Sequence, residues 1–265
     1  MKIIGEKING TRKRVAQAIA ERDTAFIQEL AKKQADAGAH WLDANAGTHP
    51  DQEPDDLVWL VETIQSVVDT PLCLDSANPK ALSKAIKQVN KTPMINSISG
   101  EPHRLEGILP LVAEHNCEVI ALAMDEKEIP AQSQARIDII RRVMAATRSA
   151  GVADQKVYVD PLVMTIATNI QSGNVFFETV GTLRDEFPEI HFTSGLSNIS
   201  FGLPARSYIN RAFMSLAIGA GLDSAIMDPM DRELQSAIYA AELVSGKDKH
   251  CLNYTRAFRA GVFER

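Results

Sequence analysis

Eight short apolar runs, each closed by a polar side chain, constrain this chain more than any other feature. They are IIGEKI (3–8), HWLDAN (40–45), PLCLDS (71–76), PMINSIS (93–99), EVIALAM (118–124), VYVDPLV (157–163), HFTSGLSN (191–198) and SAIMDP (224–229). Their starts lie roughly 20 to 40 residues apart, the length of a βαβ unit of about 30 residues. Runs that are nearly continuous in apolar residues suit parallel strands covered on their outer face. Eight such units in 265 residues predict a (β/α)₈ barrel, with 1–265 as a single domain. An open doubly wound sheet is the alternative. It would need a glycine-rich phosphate turn after the first strand, and GEKINGT is a poor one.

The intervals carry helical periodicity. Leu57, Leu60, Val61, Ile64, Val67 and Val68 form one stripe, with Asp55 and Asp56 at the start, where the helix dipole favours negative charge. Phe26, Ile27, Leu30 and Ala31 form a second, stopped by Gly38. Ile137, Ile140, Val143 and Met144 form a third, closed by Gly151, and Ile209, Phe213, Leu216 and Ala220 a fourth. The Gly219/Gly221 pair ends that last helix rather than opening one, so it reads as a C-cap and not a nucleotide loop.

Charge and composition exclude several classes. A formal charge of −6 and a pI near 5.6 argue against a nucleic-acid or acidic-membrane binder. No stretch approaches the roughly 18 apolar residues of a spanning helix, and MKIIGEKING is too short and too charged for a signal peptide. Three scattered cysteines, Cys73, Cys117 and Cys251, suggest reduced thiols in a cytoplasmic protein, with no structural zinc.

In a barrel the C-terminal strand ends build the site. Here they carry Glu6 and Asn9, Asp43 and Asn45, Asp75, Asn96, Met124 and Asp125, Asp160, Asn198, and Asp228. Taken singly, Asp75 is as well explained as a helix cap and Asp160 as a turn before Pro161. Together they make a rim of carboxylates and amides that packing does not explain. Mg²⁺ or Mn²⁺ would suit the carboxylates, although no HxH or ExxH supports a metal and the six histidines are scattered. A heterocycle rich in N–H donors suits them too. A carboxylate accepts from a ring N–H and its neighbouring NH₂, while Asn both donates and accepts.

The motifs IIGEKING, LDANAG, LCLDS, MINSIS, YVDPLV and GLSNISFG…INR, in this order over residues 1 to 260, resemble the methyltetrahydrofolate:corrinoid protein methyltransferases. These are pterin-binding TIM barrels akin to the folate domain of cobalamin-dependent methionine synthase. The resemblance implies a cytoplasmic homodimer that moves a methyl group between N5 of tetrahydrofolate and the cobalt of a corrinoid. The corrinoid sits on a partner protein, and no metal is bound by this chain itself. Matched by motif, Asp75, Asn96 and Asp160 become the pterin-edge binders and Asn198 the group that hydrogen-bonds N5. Glu6, Asp43 and Asn45 line the same mouth, and Arg206 lies toward the aminobenzoyl-glutamate side. An amide is no ordinary acid near neutral pH, so Asn198 reads as a hydrogen-bonding stabiliser. Asp248-Lys249-His250 begins a DxHxxG cobalamin motif, but the glycine does not follow.

Three other readings stay open at this level. Dihydropteroate synthase shares the barrel, although DPLVMT replaces its DPGxGF-like turn. A metal-dependent lyase or aldolase barrel would use the same carboxylates as ligands, and a non-catalytic folate-binding subunit would keep the pterin contacts alone. Either direction of methyl transfer is compatible with the motifs, toward an acetyl-CoA pathway or from corrinoid-dependent demethylation of betaines or methoxy-aromatics.

Overall fold

The computed structural model describes residues 1–126 and 129–263. Eight parallel strands alternate with helices: β1 (Lys2–Asn9), α1 (Lys13–Glu21), α2 (Thr24–Asp36), β2 (Trp41–Asn45), α3 (Glu53–Gln65), β3 (Leu72–Asp75), α4 (Pro79–Ala85), β4 (Met94–Ser99), α5 (Pro102–Glu114), β5 (Glu118–Leu122), α6 (Ser133–Ser149), β6 (Val157–Asp160), α7 (Ser172–Glu186), β7 (His191–Phe192), α8 (Arg206–Ala220), β8 (Ser224–Met227), α9 (Arg232–Val244) and α10 (Leu252–Arg259). Each strand from β1 to β6 pairs with the next in sequence, and β8 pairs with β1. The last seam, between β7 and β8, closes through a single parallel bridge between Gly195 and Ile226. The Ile226 amide donates to the Ser194 carbonyl there at 2.9 Å.

The strand ladder follows the expected runs except at the fifth, which stops at Leu122 short of Met124 and Asp125, and at the seventh. An extended segment was expected over 191–198, but the strand stops after Phe192, and Leu196–Ser200 form a 3₁₀ turn. Gly, Ser and Asn favour such turns over continued pairing. The helices bury the stripes their periodicity predicts. Leu57, Leu60, Val61 and Ile64 are buried on α3, and Ile137, Ile140, Val143 and Met144 on α6. On α8 the stripe is rotated: Phe213, Met214, Ala217 and Ile218 face inward, while Leu216 is 61% exposed. Gly221, at φ 124°, ends that helix as a C-cap, with Gly219 inside its last turn.

Two apolar shells result. The larger lies between strands and helices. The smaller fills the barrel axis with Ile4, Trp41, Cys73, Met94, Ile120 and Tyr158, joined by Leu122 and Ile226. Trp41 and Tyr158 meet edge to face with centroids 5.8 Å apart. The Lys2 ammonium lies 5.0 and 5.2 Å from their ring centroids and donates to the Tyr158 hydroxyl at 2.6 Å. His191 stacks on Tyr158 and pairs through Nδ1 with Asp223 at 3.0 Å, which makes it a satisfied structural histidine.

This plug is the floor on which the strand ends stand. Replacing Trp41 by Ala should cost about 3–5 kcal/mol, the usual penalty for deleting a large buried aromatic. Urea unfolding monitored by circular dichroism measures it, and a loss below about 1 kcal/mol would remove the plug from the stability of the barrel.

Candidate active site

Side chains alternate along a strand, so the residue two positions after a plug residue points to the same interior one layer higher. Applied to the plug, this rule gives Glu6 above Ile4, Asp43 above Trp41, Asp75 above Cys73, Asn96 above Met94, Leu122 above Ile120, Asp160 above Tyr158 and Asp228 above Ile226. Apolar residues below and acids and amides above meet at the C-terminal mouth. The pairing register puts Asp43 beside Cys73, Asp75 beside Asn96 and Leu122 beside Asp160.

Burial sets the protonation of this layer. Asp43 is 2% exposed, and one of its carboxyl oxygens has no hydrogen-bond partner among the described residues. Desolvation, and then the nearby Asp75 charge, hold it well above the usual carboxylate range. Asp75 is also raised by burial, although Asn45 Nδ2 donates to it at 2.9 Å and the Arg104 charge acts in its favour. Burial pushes Asp160 up to about 6, against the Leu162 and Gly195 amides and the Arg136 charge. Glu6 is raised by burial as well, offset by Arg12, whose Nη2 lies 2.8 Å from its Oε1. Four acids crowded into one mouth disfavour one another's ionised forms.

The two ambiguities over single residues resolve differently. Asp75 is not a helix cap, because Asn78 caps α4 by accepting from the Lys80 amide at 3.0 Å. Asp160 does both jobs. Its Oδ1 accepts from the Leu162 amide at 2.8 Å within a turn, and its carboxyl belongs to the interior layer.

Asn198 sits on the 196–200 turn rather than on a strand, and it is exposed at the mouth. Its Nδ2 lies 3.4 Å from where a Cβ on Gly195 would stand. Arg206, the first residue of α8, is exposed but braces that turn. Its Nε donates to Ser200 Oγ at 3.0 Å and its Nη2 to the Ser197 carbonyl at 2.6 Å. Buried Ser200 in turn donates to Asn210 Oδ1 at 2.7 Å.

Other strand-end residues serve neighbouring structure. Asn9 accepts from the Thr11 amide and hydroxyl. Asp125 meets Arg142 at 3.3 Å, and Asp228 pairs with Lys7. Asp248 caps α10 through the Asn253 and Tyr254 amides at 3.0 and 2.9 Å, which gives the DKH run a structural use.

One interior position escaped the sequence. Thr193 is fully buried, with a hydroxyl that has no partner among the described residues, and the same holds for the neighbouring Ser194. Counting two from His191 would have found Thr193. Arg136 has no such sequence signal, since it lies within a helix far from any strand end. Among the described residues no group of three or more His, Cys, Asp or Glu side chains converges as metal ligands do.

A family model for pterin binding enzymes matches residues 5–228. The chain is 39% identical over 263 residues to a methylcorrinoid:tetrahydrofolate methyltransferase of Eubacterium limosum, covering 98% of this chain and 97% of that protein. It is 31% identical over 248 residues to a methionine synthase of Mycobacterium tuberculosis, of which it spans 21%. Among solved structures, a dihydropteroate synthase of Coxiella burnetii in complex with pteroic acid superposes with a TM-score of 0.68 at 17% identity, covering 94% of this chain and 93% of that one. A dihydropteroate synthase of Yersinia pestis gives 0.66 at 18%, covering 93% and 92%. At such identities these two speak for the barrel fold alone.

The raised acid has a measurable sign. Folded Asp160 binds its proton more tightly than the unfolded chain does. The folded state is therefore disfavoured progressively as pH rises from the ordinary 3.8 through about 6. Asp160→Asn should be more stable than the parent by about 1–3 kcal/mol at pH 7.5, with the difference vanishing below about pH 4. Urea titrations across that range measure it, and a pH-independent difference would refute the raised carboxyl.

Proposed function

Because this chain belongs to the pterin binding enzyme family, we propose that it is a tetrahydrofolate:corrinoid methyltransferase. It moves a methyl group between N5 of (methyl)tetrahydrofolate and the cobalt of a corrinoid carried by a partner protein. The observation that carries this is the near end-to-end identity with the Eubacterium limosum methyltransferase. The polar layer at the mouth supports it independently, since it has the acceptor-rich polarity of a pterin site. The corrinoid and the folate are both substrates that the barrel mouth brings together.

In this reading Asp75, Asn96 and Asp160 bind the 2-amino-4-oxo edge of the pterin. An ionised carboxylate accepts from its ring N–H and NH₂ together, and the Asn96 amide pairs with what remains. Asp43, whose carboxyl burial holds well above the usual range, belongs to the same layer. Glu6 and Asn45 complete the wall. Arg206 braces the turn that presents Asn198 and reaches the aminobenzoyl-glutamate side from its exposed place at the rim.

Asn198 acts at N5. When methyl leaves N5, the bonding pair stays on nitrogen and a proton must be taken up there. In the reverse direction the N5 pair forms the new C–N bond and the proton departs. An amide on an exposed turn can rotate to donate to, or accept from, that nitrogen as its protonation changes. The exposure of Asn198 also leaves the mouth open on the side from which a corrinoid face would approach.

We further propose that the chain works as one barrel unit and as a homodimer in the cytoplasm. Exposed Leu216, Val244, Leu252 and Phe258 on α8 to α10 support a covered face there. Among the described residues no helix is long and apolar enough to cross a membrane.

An anaerobic spectrophotometric assay tests the reaction. The chain is mixed with methylcob(III)alamin and tetrahydrofolate, or with cob(I)alamin and methyltetrahydrofolate, with and without EDTA. Interconversion of the cobalt spectra, indifferent to EDTA, is the expected result, whereas absence of any folate binding refutes the proposal. Asn198→Ala should keep folate affinity within a few-fold but raise the transfer barrier by about 2–4 kcal/mol, the scale of one lost transition-state hydrogen bond. Unchanged turnover would take Asn198 out of the chemistry. Asp160→Ala should instead weaken folate binding, because a donor pair on the pterin is left unmet, and a calorimetric titration with parent-like affinity would contradict that role.

A further inference from the structure

The largest side chain fully buried among the described residues is an arginine. Arg136, near the start of α6, is 1% exposed. A buried guanidinium normally meets a carboxylate directly. This one gives its donors to backbone carbonyls instead. Nε reaches Pro130 at 2.8 Å, and Nη1 reaches both Pro161, at 2.9 Å, and Leu162.

Two of those carbonyls belong to the residues that follow Asp160. Leu162 has a φ of 62°, a left-handed conformation that leucine keeps only when its surroundings hold it. The Leu162 amide donates back to Asp160 Oδ1 at 2.8 Å. A continuous path therefore runs from the guanidinium through the 161–162 carbonyls and the Leu162 amide to the carboxylate.

We infer that Arg136 is the positioning residue for Asp160: it locks the 160–162 turn so that the carboxylate faces the barrel mouth. The inference rests on the pterin-binding role of Asp160 for its functional meaning, but the coupling itself is a property of the unliganded protein.

The electrostatic surroundings are simple. The neighbouring strands bring uncharged Leu122 and Thr193 to the level of Asp160. The Gly195 amide lies close and favours the ionised form. Asp43 and Asp75 belong to the same mouth layer on β2 and β3, and neither is among the groups that shift Asp160. Among the described residues, Arg136 is the one charged side chain of those that do, and Asp160 is the one carboxylate acting on Arg136. A positive charge favours the ionised acid, so its removal raises the Asp160 midpoint from about 6.

The test compares the parent chain with Arg136→Met, which keeps length without charge, and Arg136→Lys, which keeps charge without the planar fork. Two readouts are taken from pH 5 to 8: the carboxyl-carbon NMR titration of Asp160 in the free protein, and calorimetric affinity for tetrahydrofolate. In Arg136→Met the Asp160 midpoint should rise by about one unit. The acid limb of folate binding should move up with it, so affinity should fall about tenfold at pH 5 and by less than about twofold at pH 7.5. Arg136→Lys should keep the parent midpoint and recover part of the affinity. An unmoved Asp160 midpoint in Arg136→Met, or an affinity loss uniform across pH, overturns the inference, since a merely structural arginine would behave so. If Arg136→Met does not fold, Arg136→Gln, which also removes the charge, is read by the same two criteria: a raised midpoint with a loss concentrated at low pH supports the assignment, and an unmoved midpoint overturns it. Failure of the parent to bind tetrahydrofolate would refute the pterin reading instead, and the NMR titration would still decide the coupling of Arg136 to Asp160.

Discussion

Everything at the mouth depends on the alternation of side chains along the eight strands. One interior position per strand packs the axial plug around Trp41, Cys73, Met94, Ile120 and Tyr158. The position two residues later cannot pack into that plug, because it stands above it. An apolar residue there would be exposed to whatever fills the mouth, and a polar one would be held over a dry floor. The chain puts acids and amides at these places and leaves Leu122 as the apolar exception. The plug thus has two roles. It stabilises the barrel, and it withholds water from the lower side of the carboxyl layer.

That withheld water gives the layer its chemistry. Carboxyl groups in bulk solvent would all be ionised at neutral pH and would repel one another to little purpose. Over an apolar floor, desolvation raises Glu6, Asp43, Asp75 and Asp160 together. Their differences then come from the partners each one has. Asp75 has Asn45 and the Arg104 charge, and Asp160 has two backbone amides and Arg136. Asp43 keeps an oxygen unmet and is held well above the usual carboxylate range. A graded set of this kind can accept from one edge of a heterocycle and donate to another without any bound metal. The cost appears as stability given up at neutral pH, which is how binding sites commonly differ from packing.

The mouth is also asymmetric. On the β2–β4 side the functional groups stand on regular strands, which fix them through the ladder. On the β6–β8 side the ladder fails after Phe192, and turns hold the side chains proposed to act: 160–162 with Asp160 and 196–200 with Asn198. Turns have no ladder to hold them, and here two arginines do so. Arg136 grips the first from behind, in the dry shell between sheet and helices. Arg206 grips the second from the rim. A buried strand-borne group suits binding, while an exposed turn-borne amide suits a step in which protonation changes and a second large substrate must approach.

Much of this was legible in the residues. Eight apolar runs at βα spacing determine a parallel sheet covered by helices, with a closed barrel as its natural form. Their polar terminal residues determine that a mouth exists and which acids line it, since the strand period of two leaves them no other place to point. Tertiary structure alone decided the rest. The early end of β7 depends on how the Gly195–Ile226 seam closes. The turn of α8, which exposes Leu216, depends on neighbours far along the chain. The protonation of Asp43 depends on how completely the barrel excludes water from it. The role of Arg136 depends on a helix and a loop that meet only in the folded molecule. Local periodicity encodes direction, whereas burial and long-range partners are properties of the closed barrel.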